Sequence, residues 1–177
     1  MNIDRRFPMR LLFNIDKKDY DPNAKPVVRP SARGIIIRDG KVAMVHSTKY
    51  NYYKFPGGGI EAGETMEQTL IREVREETGL QVLAHTIREY GNVHRVQKTS
   101  KADLFIQDNF YFLCDTEDAP QQQNLDDYEE KEGFTLVYVD PYDAIRVNCE
   151  EDHGPTMSSM IERDAGVLRL LIEEGLI

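Results

Sequence analysis

Cysteine is scarce: only Cys114 and Cys149 occur in 177 residues. That excludes a disulfide framework and any zinc site built on four cysteines, and it makes a reducing, cytoplasmic setting the default expectation. Long apolar runs are also missing. The longest is Phe110 to Cys114, against the roughly 20 residues a helix needs to cross a bilayer. The N-terminus carries charge every few residues, so neither a membrane span nor a signal peptide is expected. The four histidines show no zinc spacing, and no Cys-His or Ser-His pair for nucleophilic catalysis stands out.

What is present describes a water-exposed globular chain. At 40 % hydrophobic and 30 % charged residues, the composition is ordinary, and the length suits one core better than two. Net charge is 22 − 31 = −9, which argues against nucleic-acid backbone binding. Its distribution is uneven. Asp115 to Glu132 holds eight acidic residues and one lysine, so −7 of the total lies there, while the first 33 residues carry eight Lys or Arg against four Asp. An anionic ligand would be met by the N-terminal half, and a cation drawn to the acidic stretch.

Residues 1–29 read as an irregular or edge segment, because Pro8, Pro22 and Pro26, with Pro30 just beyond, remove backbone donors. Ala32 to Ile37 and Lys41 to His46, joined through Asp39-Gly40, carry the strongest hairpin signal. Glu64 to Gly79 reads as a helix. Thr65 and Gln68 form its capping box, Gly79 stops it, and Met66, Leu70, Ile71, Val74 and Thr78 supply an inward stripe. Strands are predicted at Val82–Arg88, Asn92–Lys98, Asp103–Asp115 and Phe134–Val139, and helices at Asp140–Val147 and Ser158–Glu174. The Gln121–Gln123 run with its acidic flanks reads as a solvated loop. This order fits an α/β fold, an α/β/α sandwich around a mixed sheet, with residues 30–177 as one domain.

On the Glu64–Gly79 helix, Glu73 and Glu77 share the border of the buried stripe, and Glu76 lies about 60° toward solvent. An i,i+4 pair of like charges is unfavourable, more so where water is limited, so a cation is wanted there. The preceding Pro56-Gly57-Gly58-Gly59 loop lets backbone approach closely and frees carbonyl oxygens, which together with carboxylates suit a hard divalent cation.

Residues 58 to 80, GGIEAGETMEQTLIREVREETGL, resemble the Nudix box of the Nudix hydrolases, Gly-x5-Glu-x7-Arg-Glu-U-x-Glu-Glu-x-Gly-U with U aliphatic. Gly58, Glu64, Arg72, Glu73, Val74, Glu76, Glu77, Gly79 and Leu80 fill every fixed position. The resemblance implies the Nudix fold and hydrolysis of a nucleoside diphosphate linked to another group, with Mg²⁺ or Mn²⁺ bridging protein and diphosphate. It further implies metal ligands at Glu73, Glu77, Glu76 and the Gly57 carbonyl, with Glu76 also a water-orienting group. Arg72 would hold the glutamates in place, and Glu64 corresponds to the loop glutamate. The family often adds an acid from a loop outside the box; Glu132, followed by Gly133, is the first choice here, with Glu129 and Glu130 behind it.

Arg29, Arg33, Lys54, Arg95 and Lys98 are cations able to meet substrate phosphate, and Tyr53, in the run Tyr50 to Phe55, offers a face for a base. At Val96, sixteen residues past the box, stands neither the proline of ADP-ribose hydrolases nor the tyrosine of some dinucleoside polyphosphate hydrolases. The expected partner is a nucleotide-type small molecule, and the edge strands leave room for a homodimer, as in many members of the family. The competing reading, a non-catalytic nucleotide-binding regulatory domain of the same fold, would be expected to lose box glutamates, and none is lost.

Overall fold

A computed structural model describes residues 9–153 and 158–177 of the chain. Ten strands and four helices run in the order β1 (Leu11–Asp16), β2 (Val27–Val28), β3 (Ser31–Ile35), β4 (Ile37–Arg38), β5 (Lys41–Ser47), β6 (Tyr52–Lys54), β7 (Gly57–Gly59), α1 (Met66–Thr78), β8 (Arg88–Thr99), β9 (Ala102–Leu113), α2 (Asp127–Glu132), β10 (Phe134–Val139), α3 (Pro141–Glu150) and α4 (Ser158–Glu173). One mixed sheet has the order β1-β8-β9-β3-β7, with β2 beside β9; a second, antiparallel sheet has β10-β5-β4, with β6 beside β5.

The strand period of two assigns each face to a helix layer. Along β3, β5 and β9, Ala32, Ala43 and Phe112 turn toward Leu70 and Val74 of α1. Their neighbours Ile35, Val42, Met44 and Tyr111 turn the other way, toward Val167, Leu168 and Leu171 of α4. The result is the expected α/β/α sandwich, with its strands in two sheets. Helix α1 lies close to β3 because Gly34 has no side chain; a Cβ there would stand 3.0 Å from Val74 Cγ2.

The ends of α1 follow the sequence: the Thr65/Gln68 capping box is formed and Gly79 is left-handed at φ 75°. Two readings need correction. Val82–Arg88 is not a strand, because a single bridge from Val82 to Thr116 gives way to a 3₁₀ turn at Ala84–Thr86. The acidic stretch is not all solvated loop: α2 forms in it, started by an Asp126/Glu129 capping box and stopped by left-handed Gly133, and it buries Glu129. The glutamine run is a loop with Gln121 and Gln122 exposed, as read, and its backbone is bonded to the end of α1. Gln121 N–H donates to the Gly79 carbonyl at 2.7 Å and Asn124 N–H to that of Glu76 at 2.8 Å, while the Gln123 amide reaches the Glu77 carbonyl. These bonds satisfy carbonyls that the end of α1 would leave without partners.

Candidate active site

Three neighbouring elements build the site: β6 supplies Lys54, β7 the glycine loop, and α1 the carboxylates. Glu77 is deepest, its side chain only 1 % exposed. One of its oxygens accepts the Gly57 N–H at 2.8 Å, and the other accepts the Lys54 ammonium, which also lies 4.6 Å above the Phe134 ring. The cation called for by the glutamate pair is thus supplied within the chain. Burial pushes the Glu77 carboxyl up to about 7, against the opposing pull of Lys54. Burial also raises Glu73, with Arg72 pulling it back.

Arg72 organises the outer half. Its Nε and Nη2 donate to Glu64 at 2.7 and 2.9 Å, and its Nη1 to Glu73 at 2.8 Å and Glu76 at 3.1 Å. The guanidinium thereby sets the directions of three box carboxylates. Its bonds, with a further one from Thr69, hold Glu64 down at about 2. Gly58 is obligatory for this arrangement, since a Cβ on it would stand 2.4 Å from the Glu73 carboxylate. Gly58→Ala is therefore expected to swing Glu73 aside, costing turnover about tenfold or more with little change in melting temperature, because only a side-chain end must move. Steady-state rates and a thermal melt on the same preparation check this.

Other candidates from the sequence separate into those near this centre and those elsewhere. Arg33 is buried beneath the loop, donating to the Gly57 carbonyl at 3.0 Å and that of Phe55 at 3.3 Å. Arg29 is exposed and packs over Gly59. Tyr53 is not brought to the centre: its ring stacks on His46, with centroids 4.7 Å apart, and its backbone is bonded to Asn148 of α3. Lys98 is paired with Asp103 at the far end of the β8-β9 hairpin. In α2, the Glu132 carboxylate accepts the Tyr52 hydroxyl at 2.8 Å, and its carbonyl anchors the β5-β6 turn. Glu129, one turn earlier, is buried and contributes its charge to the environment of Glu77. The capping-box spacing Asp126-x-x-Glu129 was the sequence signal for that placement.

The oxygen donors on hand are the Glu73, Glu76 and Glu77 carboxylates and the Gly57 carbonyl, which has a second lone pair beyond the one Arg33 uses. Among the described residues no three acidic side chains converge on one cation position, since Glu73 and Glu76 are turned to Arg72 and Glu77 to Lys54. The set suits a divalent cation with oxygen preference. The Lys54 ammonium held by the enclosed Glu77 carboxylate supports the fit, since it shows that this carboxylate accommodates a cation.

A model of the NUDIX domain matches residues 28–159. The chain belongs to the Nudix family. Among Nudix relatives, it is 36 % identical over 80 residues to a protein named ADP-ribose pyrophosphatase from Methanocaldococcus jannaschii, covering 43 % of this chain and 46 % of that one. It is 39 % identical over 79 residues to an RNA pyrophosphohydrolase from Acinetobacter baylyi, covering 41 % and 42 %. The chain spans less than half the length of either relative. Two solved structures share the Nudix fold: a MutT protein from Bacillus halodurans, with a TM-score of 0.57 at 20 % identity over 79 % of this chain and 82 % of that one, and a NUDIX hydrolase from Nitrosomonas europaea, with 0.56 at 20 % over 81 % and 90 %.

Proposed function

We propose that this Nudix protein is a Mg²⁺- or Mn²⁺-dependent hydrolase that cleaves a diphosphate bond in a nucleoside diphosphate derivative or a nucleotide. The observation that carries this reading is the intact carboxylate set, Glu73, Glu76 and Glu77, clamped by Arg72 and Lys54 around the Gly57–Gly59 loop. The relatives' names, a pyrophosphatase and a pyrophosphohydrolase, agree with that bond type.

The residues divide the work. Glu73, Glu76, Glu77 and the Gly57 carbonyl would hold the metal, which when bound neutralises the diphosphate and lowers the pKa of water. Arg72 fixes carboxylate directions before substrate arrives, so little reorganisation is left for the reaction. Lys54, bonded to Glu77 within the centre, would meet phosphate oxygen there. Exposed Arg29 beside Gly59 can do the same from the outer side. A buried acid in α2 can take the proton from attacking water, as the bridging P–O bond breaks.

The test is a panel of NDP-sugars, ADP-ribose, dinucleoside polyphosphates, nucleoside triphosphates and a short 5′-triphosphorylated RNA, with Mg²⁺ or Mn²⁺, read by product identity. Release of a nucleoside monophosphate or of pyrophosphate from at least one small molecule is expected, and chelator should abolish it. No turnover from folded protein on any member would favour the non-catalytic binding domain.

A further inference from the structure

Beneath the glycine loop, on the face of the mixed sheet turned to α4, lies a polar stripe unusual for a core. The register places Ser31 opposite Asn109, Arg33 opposite Tyr111, and Arg95 opposite Gln107, so these side chains share one face across β3, β9 and β8. Helix α4 covers the stripe with Ser159 and Arg163 from its first turns, while its later turns pack on the apolar cluster. Arg33, Arg95 and Arg163 are 7 %, 8 % and 1 % exposed.

Among the described residues, three buried guanidinium groups face one buried carboxylate, that of Asp164. Asp164 is taken by Arg163 through two bonds, at 2.8 and 3.1 Å, and also accepts the Tyr111 hydroxyl at 2.7 Å and the Phe55 N–H at 3.1 Å. Arg163 spends its remaining reach on Asn109, at 2.8 Å. Among the described residues, Arg95 bonds only to neutral partners, Gln107 at 2.5 Å and Ser159 at 3.1 Å, and Arg33 only to backbone carbonyls. Glu77, the next carboxylate felt by Arg33, is already matched by Lys54. The Nε atoms of Arg33 and Arg95 are buried and have no hydrogen-bond partner among the described residues. Burial, with the charges of Arg163 and Arg33 behind it, pulls the Arg95 guanidinium down to about 9.

Uncompensated buried charge is costly, and a fold that keeps two such arginines is arranged for a counter-charge from outside. The excess decides its chemistry. Three cations against one carboxylate leave +2; a carboxylate ligand would leave half of that, whereas a phosphate monoester carries about −1.5 to −2 at neutral pH. Arginine also suits tetrahedral oxyanions through its forked donors. The nearest opening is a cleft of about 640 Å³ between Lys17, Asp19, Gln97, Lys98 and the start of α4, which reaches the stripe at Ser159, the partner of Arg95. We propose that Arg33 and Arg95, backed by Arg163, form a binding site for a phosphoryl group, distinct from the metal-binding carboxylates. As a subsite for a terminal phosphoryl of the substrate it rests on the hydrolase reading; as a phosphate site it does not.

The experiment is run in chelator on the full chain, so that it is independent of turnover. Titration calorimetry and thermal melts use inorganic phosphate, a nucleoside 5′-monophosphate and the parent nucleoside, each against chloride at equal ionic strength. Phosphate should bind and raise the melting temperature, and nucleoside should not. Tighter binding of the monophosphate would identify a nucleotide's phosphoryl as the ligand, and equal binding would identify free phosphate; either supports the site. Arg95→Gln should weaken phosphate binding about 10- to 100-fold, the loss of a charge-assisted contact of about 1.5–3 kcal/mol. Gln107→Glu guards against a folding failure, because it places a carboxylate where the ligand's charge would go. It should raise the melting temperature without phosphate and abolish the response to phosphate. Phosphate acting no differently from chloride, or Gln107→Glu binding phosphate as the wild type does, would overturn the proposal.

Discussion

Glu77→Gln is expected to lower turnover by about 10²- to 10³-fold, the scale of removing one preorganised electrostatic contact, while the metal-free fold stays intact. The structure gives the stability half of this expectation a definite sign. Glu77 is enclosed, and although Lys54 pairs with it, burial outweighs that attraction and moves its carboxyl from 4.5 up to about 7. Between those values the folded protein holds a proton that the unfolded chain has released. Metal-free stability should therefore fall as pH rises from about 4.5 to 7, then level off. The glutamine resembles the protonated acid, so the variant should lack that slope and melt no lower than wild type at pH 8. Added Mg²⁺ should stabilise the wild type at pH 8 and the variant far less. Melts in chelator and in Mg²⁺ across this range, with rates on a substrate from the panel, decide it. A variant that keeps both its rate and the Mg²⁺ stabilisation would remove Glu77 from the metal site.

The second large effect distinguishes two acids of α2. Glu129 is buried and adds its charge to the surroundings of Glu77, whereas Glu132 is bonded to the Tyr52 hydroxyl and belongs to the anchoring of the β5-β6 turn. We expect Glu129→Gln to reduce turnover about 10²-fold, the contribution of a positioned general base or of a ligand that assists one. Stability should hardly change, since glutamine also completes a capping box. Glu132→Gln keeps an acceptor for Tyr52 and should cost less than tenfold. Rate constants for the two variants at saturating Mg²⁺ make the comparison, and a larger loss at Glu132 would return the role to the residue that the sequence favoured.

The sequence favoured Glu132 because Gly133 beside it promises a sharp turn before a strand. That turn exists, but it directs Glu132 toward Tyr52. Which acid on a short helix faces the centre depends on how α2 docks against β10 and β6, a tertiary matter that local spacing does not carry. By contrast, α1 was readable to within two residues at its start and one at its end, since its capping box and terminal glycine act locally. The carboxylate edge of α1 followed from helical period alone. Lys54 as the partner of Glu77 did not, because β6 meets α1 only through the folded sheet. The arginine stripe was hidden for the same reason: Arg33 and Arg95 are 62 residues apart in the chain (95 − 33), and only the β3-β9-β8 register brings them to one face. Val82–Arg88 misled through its β-branched residues, which settle into a bridge and a 3₁₀ turn once Leu80 is buried against α1.

The glutamine-run segment makes the distance between the two acidic elements a fixed quantity. Its Gln121 and Asn124 amides grip the carbonyls of Gly79, just past α1, and of Glu76 in its last turn, and five residues after Asn124 comes Glu129. The segment works as a ruler: it starts from the helix that bears Glu73 and Glu77 and measures out where the α2 carboxylate stands. Substitutions along it that keep the backbone bonds leave the measure unchanged, whereas one residue added or removed between Asn124 and Glu129 changes it. Selection on that stretch should therefore act on its length more strongly than on its composition.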